Sequence, residues 1–255
     1  MINKNGCIPY VEGSFVNIKY LLSIFCGLLS SSVIANQSSW STSIAVGASR
    51  FTKSNDQTII ISDYITDSLV NSHQKTQATY SFSFQRNISV NSQLLKKILI
   101  GPAIYYQQAR FTGDVYELND PEFFNYTYKE SGNIFNLVLQ GDLYLFSPIE
   151  RISPFITLGA GLSVSKVTYH DQALPGITPV SSLRLPAKIN NQFAGAAGAG
   201  VAVHLNKKFD VFARYLYSQS DTAHSSLSNN HNLLEPIKLS LNNQAFYIGL
   251  SFNSL

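Results

Sequence analysis

Cysteine is almost absent from this chain. Its two copies among 255 residues, Cys7 and Cys26, both fall within the first thirty-five. With that segment removed, no disulfide or thiolate metal site is available, so a secreted form does not rest on disulfide staples. Phe25 precedes Cys26, where a lipidation signal wants a small residue, which argues against a lipid anchor. Charge is scarce too, at 13% of residues against a usual ~25%. The net charge is +3 and the basic residues are scattered, so no basic stripe exists to hold nucleic acid. From residue 36 onward there is no run of ~18 apolar residues, which excludes a membrane-spanning helix there.

What is present begins with a processing signal. Lys19 is followed by an apolar stretch from Tyr20 to Leu29, then Ser30, Ser31 and Ser32, then Val33-Ile34-Ala35 before Asn36. A charged flank, a short hydrophobic core and a small-residue cleavage site form the pattern of a secretory signal peptide. The core is about half the ~20 residues that a spanning helix needs. Residues 1–35 are therefore expected to be a cleaved signal and residues 36–255 the mature domain. The lead before Lys19 is long and carries Glu12, which a translation start near Val16 would explain.

Beyond the signal, hydrophobicity repeats with period two, the mark of strands with one apolar face. Eight segments show it. The first sets Trp40, Thr42, Ile44, Val46 and Ala48 against Ser41, Ser43, Ala45 and Gly47. The second alternates Ala78, Tyr80, Phe82 and Phe84 with Thr79, Ser81, Ser83 and Gln85. Ile98, Ile100, Ile104 and Tyr106 oppose Leu99, Gly101, Ala103, Tyr105 and Gln107 in the third. The fourth opposes Phe135, Leu137, Leu139 and Leu143 to Asn136, Val138, Gln140 and Asp142. Ile156 to Ser165, Gln192 to His204, Phe209 to Ser218 and Ala245 to Phe252 complete the set.

A soluble sandwich alternates as well, so three further features decide. Aromatics on the apolar face sit near segment ends: Trp40, Tyr80, Tyr106, Tyr217 and Phe252. The opposite face is Ser, Thr, Gly and Gln with few charges, which suits a packed polar interior. Connections alternate between long (51–77, 111–132, 168–191, 219–242) and short (87–97, 147–153, 205–208). Interfacial girdles, a polar interior and sorted loop lengths are properties of a transmembrane barrel. The bilayer also enforces closure, because an open sheet edge leaves backbone groups unpaired in hydrocarbon. The expected fold is all-β: an eight-stranded up-and-down antiparallel transmembrane β-barrel with four long outer loops and short periplasmic turns. Two details need accommodation. Pro102 lies inside the third segment, where a bulge is expected, and Thr58-Ile59-Ile60-Ile61 with Tyr64 is too apolar for a free loop. That stretch either extends the first hairpin or adds a strand pair.

The chain resembles the eight-stranded outer-membrane barrels typified by the OmpA transmembrane domain, OmpX and OmpW. The likeness is carried by Ser153-Pro154-Phe155 leading to Gly159-Ala160-Gly161, by Ala197-Gly198-Ala199-Gly200-Val201, by Arg214-Tyr215-Leu216-Tyr217, and by Tyr247-Ile248-Gly249-Leu250-Ser251-Phe252. Members often finish on an aromatic residue read during assembly, whereas here Asn253, Ser254 and Leu255 follow Phe252. The resemblance implies residence in the outer membrane of a Gram-negative bacterium, among lipid and lipopolysaccharide, after insertion by the barrel assembly machinery. It also implies a structural or surface-interaction role, the outer loops contacting host surfaces, complement-like proteins or lipopolysaccharide. The OmpW likeness points instead to a narrow channel or lateral path for small apolar molecules.

Catalysis, a cofactor and a metal are not expected. In the lipid A deacylases, which share this architecture, His-x-Ser-Asn follows an Arg-Tyr pair. Here Arg214-Tyr215-Leu216-Tyr217-Ser218-Gln219 puts Tyr217 in place of the His and Gln219 in place of the Ser. Without imidazole no base takes a proton from a hydroxyl. His224-Ser225-Ser226 lies in a polar loop, and His224, His231, Asp221 and Glu235 have no fixed spacing that would make them metal ligands. His204, at the foot of its segment, reads as an ordinary interfacial residue. Asp142 and Arg214 should both point into the lumen, where a charge must be paired, so a structural ion-pair or hydrogen-bond network is expected around them.

Overall fold

Alternation becomes architecture in the computed structural model, which describes residues 39–52, 56–62, 65–90, 92–177, 182–227 and 235–254. The signal-peptide reading, with Cys7 and Cys26, lies outside the described residues, as do Tyr64 and His231. Among the described residues twelve strands follow in order. They are β1 (Trp40–Phe51), β2 (Gln57–Ser62), β3 (Ile65–Gln74), β4 (Gln77–Ile88), β5 (Leu95–Tyr116) and β6 (Phe124–Leu145). Then come β7 (Ile152–Ala173), β8 (Arg184–His204), β9 (Phe209–Ser220), β10 (Ala223–His224), β11 (Lys238–Leu239) and β12 (Asn243–Asn253).

Eight of these close a ring in which β1, β4, β5, β6, β7, β8, β9 and β12 each pair with the next, and β12 returns to β1. The seam runs without a break from Ser41↔Asn253 to Phe51↔Asn243. The longest ladder, between β5 and β6, reaches from Leu95↔Leu145 to Tyr116↔Phe124. Closure leaves no edge in the lipid, which is what a spanning sheet requires. All eight segments read from the sequence are strands of this ring, with the faces expected.

The ring is tightly coiled, and two glycines show how tightly. A Cβ on Gly47 would stand 2.0 Å from the Phe246 carbonyl oxygen, and one on Gly161 would stand 2.1 Å from that of Leu137. Both lie on the inner face, where only hydrogen fits against the neighbouring backbone.

The four central strands are about twice as long as the lipid band requires, at 22, 22, 22 and 21 residues for β5, β6, β7 and β8. A tilted strand crosses the band with ~9–11 residues. Within the band, Phe135, Leu137, Leu139, Ile156, Leu158, Ile248 and Leu250 point outward and are exposed, while Asn136, Gln140, Thr157 and Ser163 are buried inside. Above it the code inverts. Phe111, Val115, Tyr126, Tyr128, Ile134, Val167 and Tyr169 are buried inside, and Asp114, Thr127, Lys129, His170 and Gln172 lie on the outer flank. Lipid selects an apolar outside, whereas water selects an apolar inside. The switch falls between Ile134, facing in, and Phe135, facing out.

Three expectations are corrected or resolved here. The loops expected over 111–132 and 168–191 are largely strand, because the inverted pattern keeps its ladder after leaving the membrane. Between these strands lie residues 117–123, which hold two short 3-10 turns, and, among the described residues, 174–177 and 182–183. No bulge surrounds Pro102: Ser83↔Ala103 and Arg86↔Ile100 keep one register, and the ladder skips the intervening pairs. The missing N–H is thus absorbed by a local gap next to Gly101, whose Cβ position is filled by the Phe84 carbonyl. The apolar first loop does add a strand pair. β2 and β3 form a hairpin, and β3 continues up β5 where β4 stops, from Gln74↔Phe111 to Ser68↔Tyr116.

Candidate functional site

Inside the band the lumen is filled. Asp142 on β6 accepts from Gln85 Nε2 at 2.9 Å, Gln140 Nε2 at 2.8 Å and Thr157 Oγ1 at 2.6 Å. Tyr105 donates to Gln140 Oε1. On the opposite wall, the Tyr247 hydroxyl shares a hydrogen bond with Thr79 Oγ1 at 2.9 Å and accepts from Gln107 Nε2 at 3.3 Å. The Arg214 guanidinium lies 5.5, 5.6 and 5.4 Å from the ring centres of Tyr105, Phe212 and Tyr247. Sandwiched, desolvated cations of this kind are worth about 2 kcal/mol per good ring.

The structure thus brings Asp142 and Arg214 to one layer, lining a common void of about 10 Å³. That is room for one water. They do not bond each other directly. The ion pairs among the described residues lie lower, where Asp210 meets Lys97 and His204. Asp142 is held by neutral donors and Arg214 by ring faces.

Over this plug stands the head formed by the upper halves of β5 to β8 together with β2 and β3. One apolar cluster joins Ile59, Leu69, Val115, Tyr126, Tyr128, Tyr169 and Leu185, and another joins Phe51, Phe111, Ile134 and Val167 to Ala223, Leu239 and Leu241. The last three belong to the described ends of the fourth loop, which pack onto this cluster. The loop's hairpin is tied down on two sides. Asn190 and the His224 backbone exchange two hydrogen bonds, and Gln57 and the Lys238 backbone exchange two more. His224 is therefore a strand residue whose backbone is pinned, while its ring Nδ1 is buried without a hydrogen-bond partner. Among the described residues no group of three or more His, Cys, Asp or Glu could hold a metal.

The head buries three carboxyl groups. Glu130 lies between Phe111 and Tyr169 in register, and its Oε1 has no hydrogen-bond partner. Burial pushes its carboxyl up to about 8. Asp171 accepts from the Leu183 N–H at 2.6 Å, and burial, outweighing that bond, pushes it up to about 7. Asp67 accepts from the Leu118 N–H at 3.1 Å and is likewise raised, chiefly by burial. On the outer flank, His73, Asp114, Thr127, Lys129, His170 and Gln172 line a groove of about 390 Å³. It is built on paired strands of β3, β5, β6 and β7, so its walls are rigid.

Residues 22–253 match the family of the outer membrane protein beta-barrel domain. The chain belongs to that family. It is an integral β-barrel of the bacterial outer membrane, in contact with lipid. Among solved structures, it is similar to the outer membrane protein OprG from Pseudomonas aeruginosa at 12% identity, covering 86% of this chain and 98% of that one with a TM-score of 0.46. The outer membrane protease OmpT from Escherichia coli matches at 8% identity, over 88% of this chain and 100% of that one, with a TM-score of 0.45. Ail of Yersinia pestis, solved in complex with the heparin analogue sucrose octasulfate, matches at 12% identity, over 86% and 100%, with a TM-score of 0.38. None of the curated proteins matches.

Sequence reading missed the head and its groove, because Asp114, Thr127, Lys129 and His170 look like loop residues when the lipid-facing code is applied to them. It also read His204 as an ordinary interfacial residue and missed its partners. The ring faces inward, with Nδ1 2.7 Å from Asp210 Oδ1 and Nε2 2.9 Å from Ser153 Oγ. The available signal was parity: His204 and Asp210 flank a tight turn and fall on the inner face together.

Proposed function

We propose that this protein is a surface-recognition barrel whose working part is the rigid head and whose lumen is a plug. The supporting observation is the pairing of a filled lumen with a head that carries its own apolar core. A barrel built for conduction has no use for Arg214 stacked among three aromatic rings across its axis. A groove walled by Asp114, Thr127, His170 and Gln172 offers donors and acceptors of the kind that hold polar, sugar-like ligands, and Lys129 adds a cation for phosphate or carboxylate. Its position on the outer flank suits lipopolysaccharide of the same membrane or glycans of a facing surface. This role asks no chemistry of the barrel, and neither a cofactor nor a metal. The expected life history includes removal of residues 1–35 and insertion by the barrel assembly machinery. The test is titration of the folded, detergent-purified barrel with lipopolysaccharide and with sulfated and neutral oligosaccharides. Saturable binding lost in Lys129→Glu/His170→Ala, with silence in planar-bilayer conductance, supports the reading. Discrete single-channel steps would favour the narrow-channel alternative.

A further inference from the structure

The periplasmic end of the barrel holds an arrangement that the surface role does not use. Ser153 on β7, His204 at the end of β8 and Asp210 at the start of β9 form a continuous relay. Ser153 Oγ is 2.9 Å from His204 Nε2, and His204 Nδ1 is 2.7 Å from Asp210 Oδ1. Each imidazole nitrogen thus meets the partner that a nucleophile–base–carboxylate triad requires. The register makes this possible: Ser153 pairs with Ala202, two residues before His204, while His204 pairs with Asp210. Asp210 is itself fixed by Asn253 Nδ2 at 3.0 Å and by Lys97 Nζ at 3.9 Å.

A cation stands beside the hydroxyl. The ladder slips between Leu95↔Leu145 and Lys97↔Tyr144, a bulge that turns two successive lysines into the mouth. Lys97 lies 4.5 Å over the Tyr144 ring, and Lys96 Nζ reaches 3.2 Å from Ser153 Oγ and 3.3 Å from His204 Nε2. Ser153 is 1% exposed, whereas Lys96 is exposed. An incoming carbonyl therefore has to displace the ammonium from the hydroxyl. The tethered ammonium then faces the oxyanion as it forms.

We infer that Ser153, His204 and Asp210 constitute a serine-hydrolase site for carboxylic esters of anionic phospholipids in the inner leaflet of the outer membrane. Location selects the substrate. Phe209, adjacent to Asp210, packs on Phe252 at 5.4 Å on the lipid side, and Trp40 stacks on Phe84 at 4.7 Å at the same end. Such girdles set the triad at the depth of the headgroup boundary, and because Ser153, His204 and Asp210 face the lumen, an acyl ester reaches them over the periplasmic rim and not through the barrel wall. Lys96, Arg151, Lys207 and Lys208 are exposed around the mouth and complement an anionic headgroup. In the step proposed, Ser153 Oγ bonds the ester carbonyl carbon while its proton passes to His204 Nε2. The ester C–O bond breaks, and that proton goes to the departing glycerol oxygen. Water, deprotonated by the same nitrogen, then cleaves the acyl-serine and restores Ser153. Asp210 is a positioning residue that holds Nδ1–H inward and stabilises the imidazolium.

The test needs only the folded full-length barrel. A fluorophosphonate probe is applied to the detergent-folded protein, its adduct is mapped by peptide mass spectrometry, and fatty-acid release is followed from phosphatidylglycerol vesicles carrying the barrel. The expected result is an adduct on Ser153, abolished in Ser153→Ala and slowed at least ~100-fold in His204→Gln, since a lost general base costs about that much. Asp210→Ala should lose most of the labelling at unchanged folded gel mobility, and Asp210→Glu should restore part of it, a rescue that a merely structural contact would not produce. No Ser153 adduct in wild-type barrel that still shows folded gel mobility overturns the inference. An adduct without fatty-acid release overturns the phospholipid assignment.

Discussion

Asn190 and His224 hold each other through two hydrogen bonds, from Asn190 Nδ2 to the His224 carbonyl at 3.0 Å and from the His224 N–H to Asn190 Oδ1 at 3.2 Å. One carboxamide thereby supplies the fourth-loop hairpin with the backbone partners of a third strand. Asn190→Ala removes both bonds at a cost of about 0.5–1.5 kcal/mol each, because the partly buried backbone groups lose their partners. The expected outcome is faster tryptic cleavage at Lys238 while folded gel mobility is unchanged. An unaltered cleavage rate would show that the apolar contacts of Leu239 and Leu241 hold the hairpin unaided.

The buried carboxyls give the head a pH dependence whose sign is fixed. The folded-state values of Glu130, about 8, and Asp171, about 7, lie above those of the exposed groups, near 4. The folded head therefore binds more protons than the unfolded one across that interval, and its stability falls as pH rises from roughly 4 to 8. Protection factors of the β6 and β7 head amides, which remove the intrinsic base-catalysed rate, should be higher at pH 5 than at pH 9. Glu130→Gln should flatten that difference. Equal protection factors at the two values would contradict the burial of Glu130.

In the lumen, Arg214→Leu is expected to lower the melting temperature of the detergent-folded barrel, since it deletes the cation held by Tyr105, Phe212 and Tyr247. Asp142→Ala should cost more, on the order of 3–5 kcal/mol, because it orphans three buried donors and leaves Arg214 without the nearby carboxylate. Thermal unfolding followed by circular dichroism checks both. An unchanged midpoint for Asp142→Ala would mean that the network is solvated and not packed.

The seam offers a steric test. Gly47→Val places side-chain atoms where the Phe246 carbonyl stands, 2.0 Å from an ideal Cβ, so β1 and β12 cannot keep their register. The variant should fail to reach folded gel mobility after refolding, whereas Gly141→Ala, with nothing within 4 Å of its Cβ, should fold normally.

The membrane half was legible because lipid imposes one strong rule, apolar outward, and residues such as Ile44, Val46, Ile248 and Leu250 obey it at every second position. The head obeys the opposite rule with the same period. A run such as Phe111-Thr112-Gly113-Asp114-Val115 gives no local sign that the solvent has changed. Only the neighbouring ladder, which carries Phe111 opposite Glu130, shows that its apolar side chains turn inward. The filled lumen was legible in part. Parity aims Asp142 and Arg214 inward, but their actual partners depend on side chains from β4, β5, β7 and β12. Ser153 and His204 are 51 residues apart and meet only through the β7–β8 register.

The claim on which the account rests is that eight of these strands close into a ring whose apolar face is turned to lipid. Gel mobility of the detergent-refolded protein in SDS, unheated and boiled, tests it most directly. A band displaced before heating that moves to the position of the unfolded chain after boiling is the predicted result. A single position in both lanes, from protein that stays folded and monodisperse in detergent-free buffer, would contradict it.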